Sequence, residues 1–215
     1  MRLIGLRIRN FRTISTEQYI EFSDGVTLVG PNNCGKTNVL NAIRMFFTGN
    51  DNSLGYSREH DLTFGERSGQ TTLVGIFKRE AAELYPDLYQ LYDELKGLLN
   101  VVDDPANGEI HLYLNFSTKS NPSYRFFPNT TRPADANGRA AYSRKERELV
   151  SLIIEKTTCH YVPSNKSFEH IYESLLAPFI RSHVSAVLQD KISEINSSLR
   201  LIANSLTESM RVAGH

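Results

Sequence analysis

The sequence predicts an α/β fold, a mixed sheet with helices, on three observations. Val26-Thr27-Leu28-Val29, a short apolar and β-branched run, enters Gly30-Pro31-Asn32-Asn33-Cys34-Gly35-Lys36-Thr37, after which Val39, Leu40, Ile43, Phe46 and Phe47 recur at helical spacing. Strand, loop and helix in that order satisfy every fixed position of Gly-x-x-x-x-Gly-Lys-Ser/Thr and the context it requires. Secondly, Ile4, Leu6 and Ile8 alternate with Arg7 and Arg9, and Ile110, Leu112, Leu114 and Phe116 alternate with polar residues, as in half-buried strands. Thirdly, two strand-like runs precede the loop, whereas a simple P-loop enzyme places the loop after its first strand.

The loop carries the chemistry. Its glycines let successive backbone N–H groups turn inward on a polyphosphate, and the following helix adds the partial positive charge of its N-terminus. Lys36 is placed to reach β and γ phosphates, and the Thr37 hydroxyl to hold Mg²⁺. Composition bounds the rest. The 215 residues are 40% hydrophobic and 22% charged, enough for a sizeable core in one to two domains. Lys plus Arg equals Asp plus Glu at 24 each, so the chain as a whole has no electrostatic pull toward nucleic acid or membrane. The sequence shows no signal-peptide block and no run of about 18 apolar residues, which favours the cytoplasm and no membrane partner. Cys34 and Cys159 have no metal-ligand spacing and read as reduced thiols.

In chain order, the strand over 3–9 leads to Asn10-Phe11-Arg12-Thr13-Ile14, a second short strand at Ile20-Glu21-Phe22 and turn chemistry at Ser23-Asp24-Gly25. The Val26–Val29 strand then delivers the chain into the loop. Tyr56-Ser57-Arg58-Glu59-His60-Asp61-Leu62 reads as a polar loop, with His60 and Asp61 solvated. Thr71 to Phe77 is β-rich. Over 80–102, Leu84, Leu88, Leu91, Leu95, Leu98 and Leu99 define a helix whose tyrosines 85, 89 and 92 pad its own core face; its acids Asp87, Asp93 and Glu94 oppose a base-stacking role. Asp103 to Gly108 is turn material, and Ser123 to Phe127 is a hairpin partner for the strand over 110–116. Pro128 to Gly138 reads as a surface loop. Ser143 is then placed to cap a helix over Arg144–Lys156, paired with Glu146 as a capping box. Arg132, Arg139, Arg144, Lys145 and Arg147 form the densest basic cluster, read as a solvated loop and helix start. Leu152-Ile153-Ile154-Glu155 is not a Walker B strand, because charged residues surround it at helical spacing and the required Asp is missing. Cys159-His160-Tyr161-Val162 is a last strand candidate with core character, followed by helix from about Phe168 and a break at Pro178. Leu188, Ile192, Ile195, Leu199, Ile202 and Leu206 make a short heptad seam.

Asn10-Phe11-Arg12, Val29 through Asn38, and Ala42-Ile43 together resemble the N-terminal half of an SMC-type ATP-binding-cassette head. That group includes RecF, RecN, SMC proteins, double-strand-break-repair heads and OLD-family ATPases. Asn33 and Tyr161-Val162-Pro163-Ser164-Asn165-Lys166 look most like ATPases of bacterial anti-phage systems, Lamassu-type or OLD-like. The resemblance implies ATP and Mg²⁺ as cofactors, Arg12 at the nucleotide, and Asn32, Asn33, Gly35, Lys36, Thr37 and Asn38 around the phosphates, with Thr37 on the metal. It implies residues 1–182 as the N-terminal lobe and 183–215 as the root of an outgoing coiled-coil arm. It also implies as partners a C-terminal half bringing signature and Walker B, a second head, DNA, and a nuclease or other effector. No catalytic residue is expected within these 215 residues. Two other classes compete. One is a scaffold lobe with a vestigial site, opposed by intact Gly30, Gly35, Lys36 and Thr37. The other is a self-sufficient P-loop kinase or GTPase, opposed by the lack of a Walker B or Asn-Lys-x-Asp motif.

Overall fold

In the computed structural model the alternation over 110–116 becomes β4 (Glu109–Phe116), with Ile110, Leu112, Leu114 and Phe116 wholly buried on one face. It joins β1 (Arg2–Arg9), β2 (Gln18–Glu21), β3 (Thr72–Lys78) and β5 (Pro122–Arg125) in a sheet of order β2-β1-β3-β4-β5. Every pairing is antiparallel, so none of the parallel pairing of a mixed sheet occurs among the described strands. Helices α1 (Lys36–Thr48), α2 (Arg58–Asp61), α3 (Pro86–Leu99) and α4 (Ala136–Lys156) complete the α/β architecture. The structure describes residues 1–49, 52–66, 68–81, 84–101, 108–157 and 159–162, and parts of 172–197. The chain divides into two units, Met1–Cys159 and His160–His215. The domain boundary expected at 182/183 falls inside the second.

The core lies on the face of the sheet shared by Leu6, Ile8, Leu73, Phe77 and the even residues of β4. Helix α1 presses on it through Phe46, whose ring occupies the space that a β-carbon on Gly75 would need. The Tyr124 hydroxyl of β5 donates to the Phe46 carbonyl oxygen, pinning the same turn of α1 to the sheet. Helix α3 buries Leu88, Tyr89, Leu91, Tyr92, Leu95 and Leu99, so the tyrosines at 89 and 92 do pad the core. Its start is later than expected, because Pro86 occupies the first turn, where its missing N–H costs nothing.

Three expectations are corrected. Val26–Val29 belongs to no strand; Val26 is 46% and Val29 86% exposed. A β-branched run needs a ladder partner to become a strand, and none of the five described strands lies beside it. Cys159-His160-Tyr161-Val162 is likewise not a strand, and Cys159 is exposed rather than core. The last helix of the first unit begins at Ala136, not Arg144: Asp135 is its N-cap, accepting from the Gly138 N–H at 2.6 Å, and Ser143 lies mid-helix. Leu152–Glu155 is therefore helical, as the rejection of a Walker B strand requires. In the second unit a π-helical turn spans Tyr172–Leu176; Leu188 and Ile192 are helical and exposed. Asp103–Asn107, Pro163–Lys166 and the seam positions Ile195, Leu199, Ile202 and Leu206 lie outside the described residues.

Freed from a capping role, Glu146 is 6% exposed and ties three segments together. Its Oε1 accepts from the Phe126 N–H (3.1 Å) and the Tyr142 hydroxyl (2.9 Å), and its Oε2 from Arg132 Nη2 (3.0 Å). Burial first, then the neighbouring Glu146 charge, pushes the Tyr142 phenol above its ordinary 10.0. Raised in the folded state, this group gives stability that is full below about pH 10 and is lost as the pH climbs further. Glu146→Ala is expected to cost about 2 kcal/mol, discounted because Arg132 is partly solvated. Urea unfolding at pH 7 with an unchanged m-value checks this; a loss under about 0.5 kcal/mol would mean the network is screened by water.

The basic cluster is absorbed the same way. Arg132 pairs with Glu146 and lies 5.0 Å over the Tyr142 ring, Arg139 donates to the Ala134 carbonyl, Arg147 donates to the Ser143 carbonyl, and Lys145 pairs with Glu94. Arg132 and Lys145 are thus ion-paired, and Arg139, Arg144, Lys145 and Arg147 lie within α4 rather than at a solvated helix start.

Candidate functional site

Helix α1 begins in an open cap. Gly35, its N-cap, sits at φ 95° in the left-handed region, no side chain caps the first turn, and the first turn carries no acid. The amides of that turn are left for an external anion. A side chain at Gly35 would be strained and would crowd the Thr13 hydroxyl at 3.2 Å. Asn33 also takes a positive φ, 65°, which lets the loop curl. Thr13, Asn32, Asn33, Gly35, Lys36, Thr37 and Asn38 line a single cleft of ≈ 450 Å³.

Lys36 is folded into its own loop: Nζ donates to the carbonyl oxygens of Gly30 and Pro31, both at 2.7 Å, and lies 3.6 Å from Cys34 Sγ. The ammonium thus sits where the loop's carbonyls converge, and it must exchange those partners to meet a phosphate.

Arg12 reaches the site from a two-residue turn closed by Phe11 N–H to Ile14 O (3.0 Å) and Ile14 N–H to Phe11 O (2.8 Å). It holds φ 52°, an uncommon conformation for a non-glycine residue, which marks a position fixed by its surroundings. Those surroundings are Asp61 and Asn38. Arg12 Nε donates to Asp61 Oδ1 (2.8 Å), its backbone N–H donates to the Asp61 carbonyl (2.7 Å), and Nη1 lies 3.4 Å from Asn38 Oδ1. Asn38 in turn donates from Nδ2 to the Thr13 hydroxyl at 2.9 Å.

Of the sequence candidates, Asn32, Asn33, Gly35, Lys36, Thr37 and Asn38 are brought together in the cleft, and Arg12 joins them through Asn38 rather than by lining it. Asp61 is corrected: read as solvated, it is 5% exposed, and its Oδ2 accepts from the Ser57 N–H at 2.9 Å. His60 remains exposed. Thr13 and Asp61 are the residues that sequence reasoning missed. The one available signal was Ser57 before an acid in the first turn of a short helix, a capping pattern for which an acid turns inward.

The donor set fits a polyphosphate: free first-turn amides, one lysine and three asparagines around an open cleft, with one arginine behind Asn38. The exposed Thr37 hydroxyl at its edge fits a magnesium ion, which keeps most of its waters. Among the described residues no group of three or more His, Cys, Asp or Glu could hold a metal ion, and no helix is long and apolar enough to cross a membrane.

Both cysteines are free and exposed, which sets up a test of occupancy. Cys34 lies inside the loop, so MgATP is expected to slow its alkylation at least about tenfold, measured by mass spectrometry in a Cys159→Ser background. An unchanged rate at saturating MgATP would mean that the loop does not close on nucleotide.

Comparison with known proteins gives a match to the AAA ATPase domain family over residues 1–212. No curated protein matches the chain. Among solved structures, it is similar to an SMC ATPase described for ATP-driven dimerization and DNA-stimulated activation. That match has 18% identity and TM-score 0.37, covering 67% of this chain and 80% of that one. It is also similar to the recombination mediator RecF with ATP, of the RecFOR pathway (22%, 0.38, 60% and 28%). A third is the SMC head domain from Thermotoga maritima (20%, 0.34, 67% and 42%). The chain thus spans less than half the length of the RecF and Thermotoga chains.

Proposed function

The chain belongs to the AAA ATPase domain family, and on that premise we propose that it is the ATP- and Mg²⁺-binding N-terminal lobe of an SMC/RecF-type ATPase head. The observation that carries the reading is the cleft at the start of α1, where the loop amides, Lys36, Thr37 and Asn38 converge with Arg12 behind them. When bound, Mg²⁺ supplies charge neutralisation at the phosphates, held by Thr37. Lys36 leaves the Gly30 and Pro31 carbonyls to pair with phosphate oxygens, the asparagines orient the loop, and Arg12 supports the phosphates through the Asn38 side.

These groups grip the ground state. Hydrolysis also needs a carboxylate to orient water and further donors on the γ-phosphate. We place those on a C-terminal half and on an opposing head. Val26, Val29 and Leu40, exposed apolar residues flanking the loop, support a partner segment that adds a strand beside Val26–Val29. The wider role is DNA-associated, in anti-phage defence or DNA repair, coupled to a nuclease or another effector, with residues 183–215 as the root of a coiled-coil arm.

The test is turnover. Residues 1–215 alone are expected to bind MgATP and to hydrolyse it at background rate, and addition of the C-terminal half, in trans or fused, is expected to restore Lys36-dependent hydrolysis. Robust ATPase activity from the monomeric chain would overturn the split-head reading. Binding without turnover in the completed head would favour a scaffold lobe with a non-hydrolysing site.

A further inference from the structure

The face of the sheet opposite the core carries a pattern that the nucleotide site does not use. Across the five strands the pairing register sets Tyr19, Arg7, Val74, Tyr113 and Arg125 in one row. The next row sets Arg9, Thr72, Asn115 and Ser123 side by side, with the Thr72 hydroxyl bonded to Asn115 Oδ1 at 2.7 Å. Arg9 and Arg125 are exposed and Arg7 half-exposed, and none of the three makes an ion pair with a described residue. Surface arginines on a sheet are ordinarily paired or scattered; here three share two adjacent rows that contain no acid.

The acids of this face lie elsewhere. Glu21 pairs across from Gly5 and Glu109 holds His111 at 2.9 Å near Lys78 and Arg2, both within electrostatic reach of Tyr19, and Glu17, just before β2, is within reach of Tyr113, so acids flank the two rows without entering them. At strand spacings of 4.7–4.9 Å, Arg7 and Arg125 stand about 14 Å apart, and Arg7 and Arg9 about 7 Å. That span reaches across more than one phosphate of a nucleic-acid strand, each carrying a negative charge. Two tyrosines complete the surface. The Tyr19 ring sits over Gly5, which has no β-carbon, and is 49% exposed, and Tyr113 is half-buried between Val74 and Arg125. A broad sheet cannot enter a duplex groove, but it can lay unpaired bases on such rings.

We propose that this face is a docking surface for a nucleic-acid strand with unpaired bases, its phosphates taken by Arg7, Arg9 and Arg125 and its bases stacked on Tyr19 and Tyr113. The inference rests on the nucleic-acid association in the proposed function and names where on the chain it occurs. It does not depend on ATP, because none of these residues lines the cleft.

Fluorescence anisotropy with a labelled 20-nucleotide single strand and the corresponding duplex, using the full chain, tests it. The single strand should bind more tightly than the duplex. Arg7, Arg9 and Arg125 all changed to Ala should weaken single-strand binding at least about thirtyfold at low salt and reduce the salt slope by about 2, at roughly 0.7 per phosphate contact. The same three changed to Lys should retain most of the binding. Tyr19→Leu with Tyr113→Leu should cost about tenfold. Arg139, Arg144 and Arg147 changed to Ala on α4 should change it less than twofold. Lys36→Ala should weaken ATP binding about a hundredfold and leave strand binding intact, so that failure of the ATP reading is told apart from failure of this one. Absence of wild-type binding, equal losses in the two arginine variants, or equal affinity for the duplex or for polyglutamate would overturn the proposal; the last would indicate an acidic protein partner instead.

Discussion

Lys36→Ala is expected to weaken MgATP binding about a hundredfold while changing AMP binding no more than about threefold. The difference follows from charge. Lys36 is the one full positive charge on the loop, and ATP places β and γ phosphates within its reach where AMP places none. Two decades of affinity correspond to about 2.8 kcal/mol, well within what one charge pair at about 4 Å supplies in a partly solvated site. The ligand-free contacts shape the expectation further. Because Nζ already holds the Gly30 and Pro31 carbonyls, the gain from phosphate is a difference between two sets of partners, which keeps the effect below the full strength of an isolated pair. Titration calorimetry of both ligands decides it. Equal losses for ATP and AMP would show that Lys36 holds the loop's shape rather than the phosphates.

Asp61→Ala is expected to act twice, lowering stability by about 2 kcal/mol and weakening ATP binding about tenfold. The carboxylate is buried, bonds Arg12 Nε with one oxygen and the Ser57 N–H with the other, so its removal leaves two donors without an acceptor. About a third of the Arg12 side chain is exposed, which places the cost at the lower end for a broken ion pair. The affinity loss arises because the guanidinium, no longer held by the carboxylate, is free to swing away from Asn38, while the main-chain bonds that set φ 52° remain. Asp61→Glu should recover part of the affinity without the full stability, a split that a purely structural role would not produce. If ATP affinity is unchanged in a folded Asp61→Ala protein, Arg12 does not serve the nucleotide through this pair.

What could be read from the sequence was whatever local pattern determines alone. The alternation over 110–116 fixes one buried face whatever the neighbours, and the loop's glycines fix their own conformations; β4 and the cleft followed. The Val26–Val29 run shows the opposite case, since its residue types say strand but a strand exists only with a partner, and pairing is not written in the run itself. Ser143 and Asp135 show a third case. Both are good cap types, Ser143 even having an acid three positions on, yet that acid, Glu146, is taken up by the buried network with Tyr142, Phe126 and Arg132, and the helix starts at Asp135. Asp61 was misread because its partner, Arg12, is 49 residues away. Long-range pairing of that kind leaves no mark on the local composition.

The contact of Phe46 with Gly75 fixes how near the phosphate-loop helix lies to the sheet. In the language of descent, these two positions are inherited as one character. A lineage that acquires any side chain at 75 must shorten 46 in the same step or pass through a form whose helix, and with it Lys36 and Thr37, is displaced from the sheet. Among divergent members of the family a larger residue at the position of Gly75 should therefore travel with a smaller one at the position of Phe46, while the two together remain free to change.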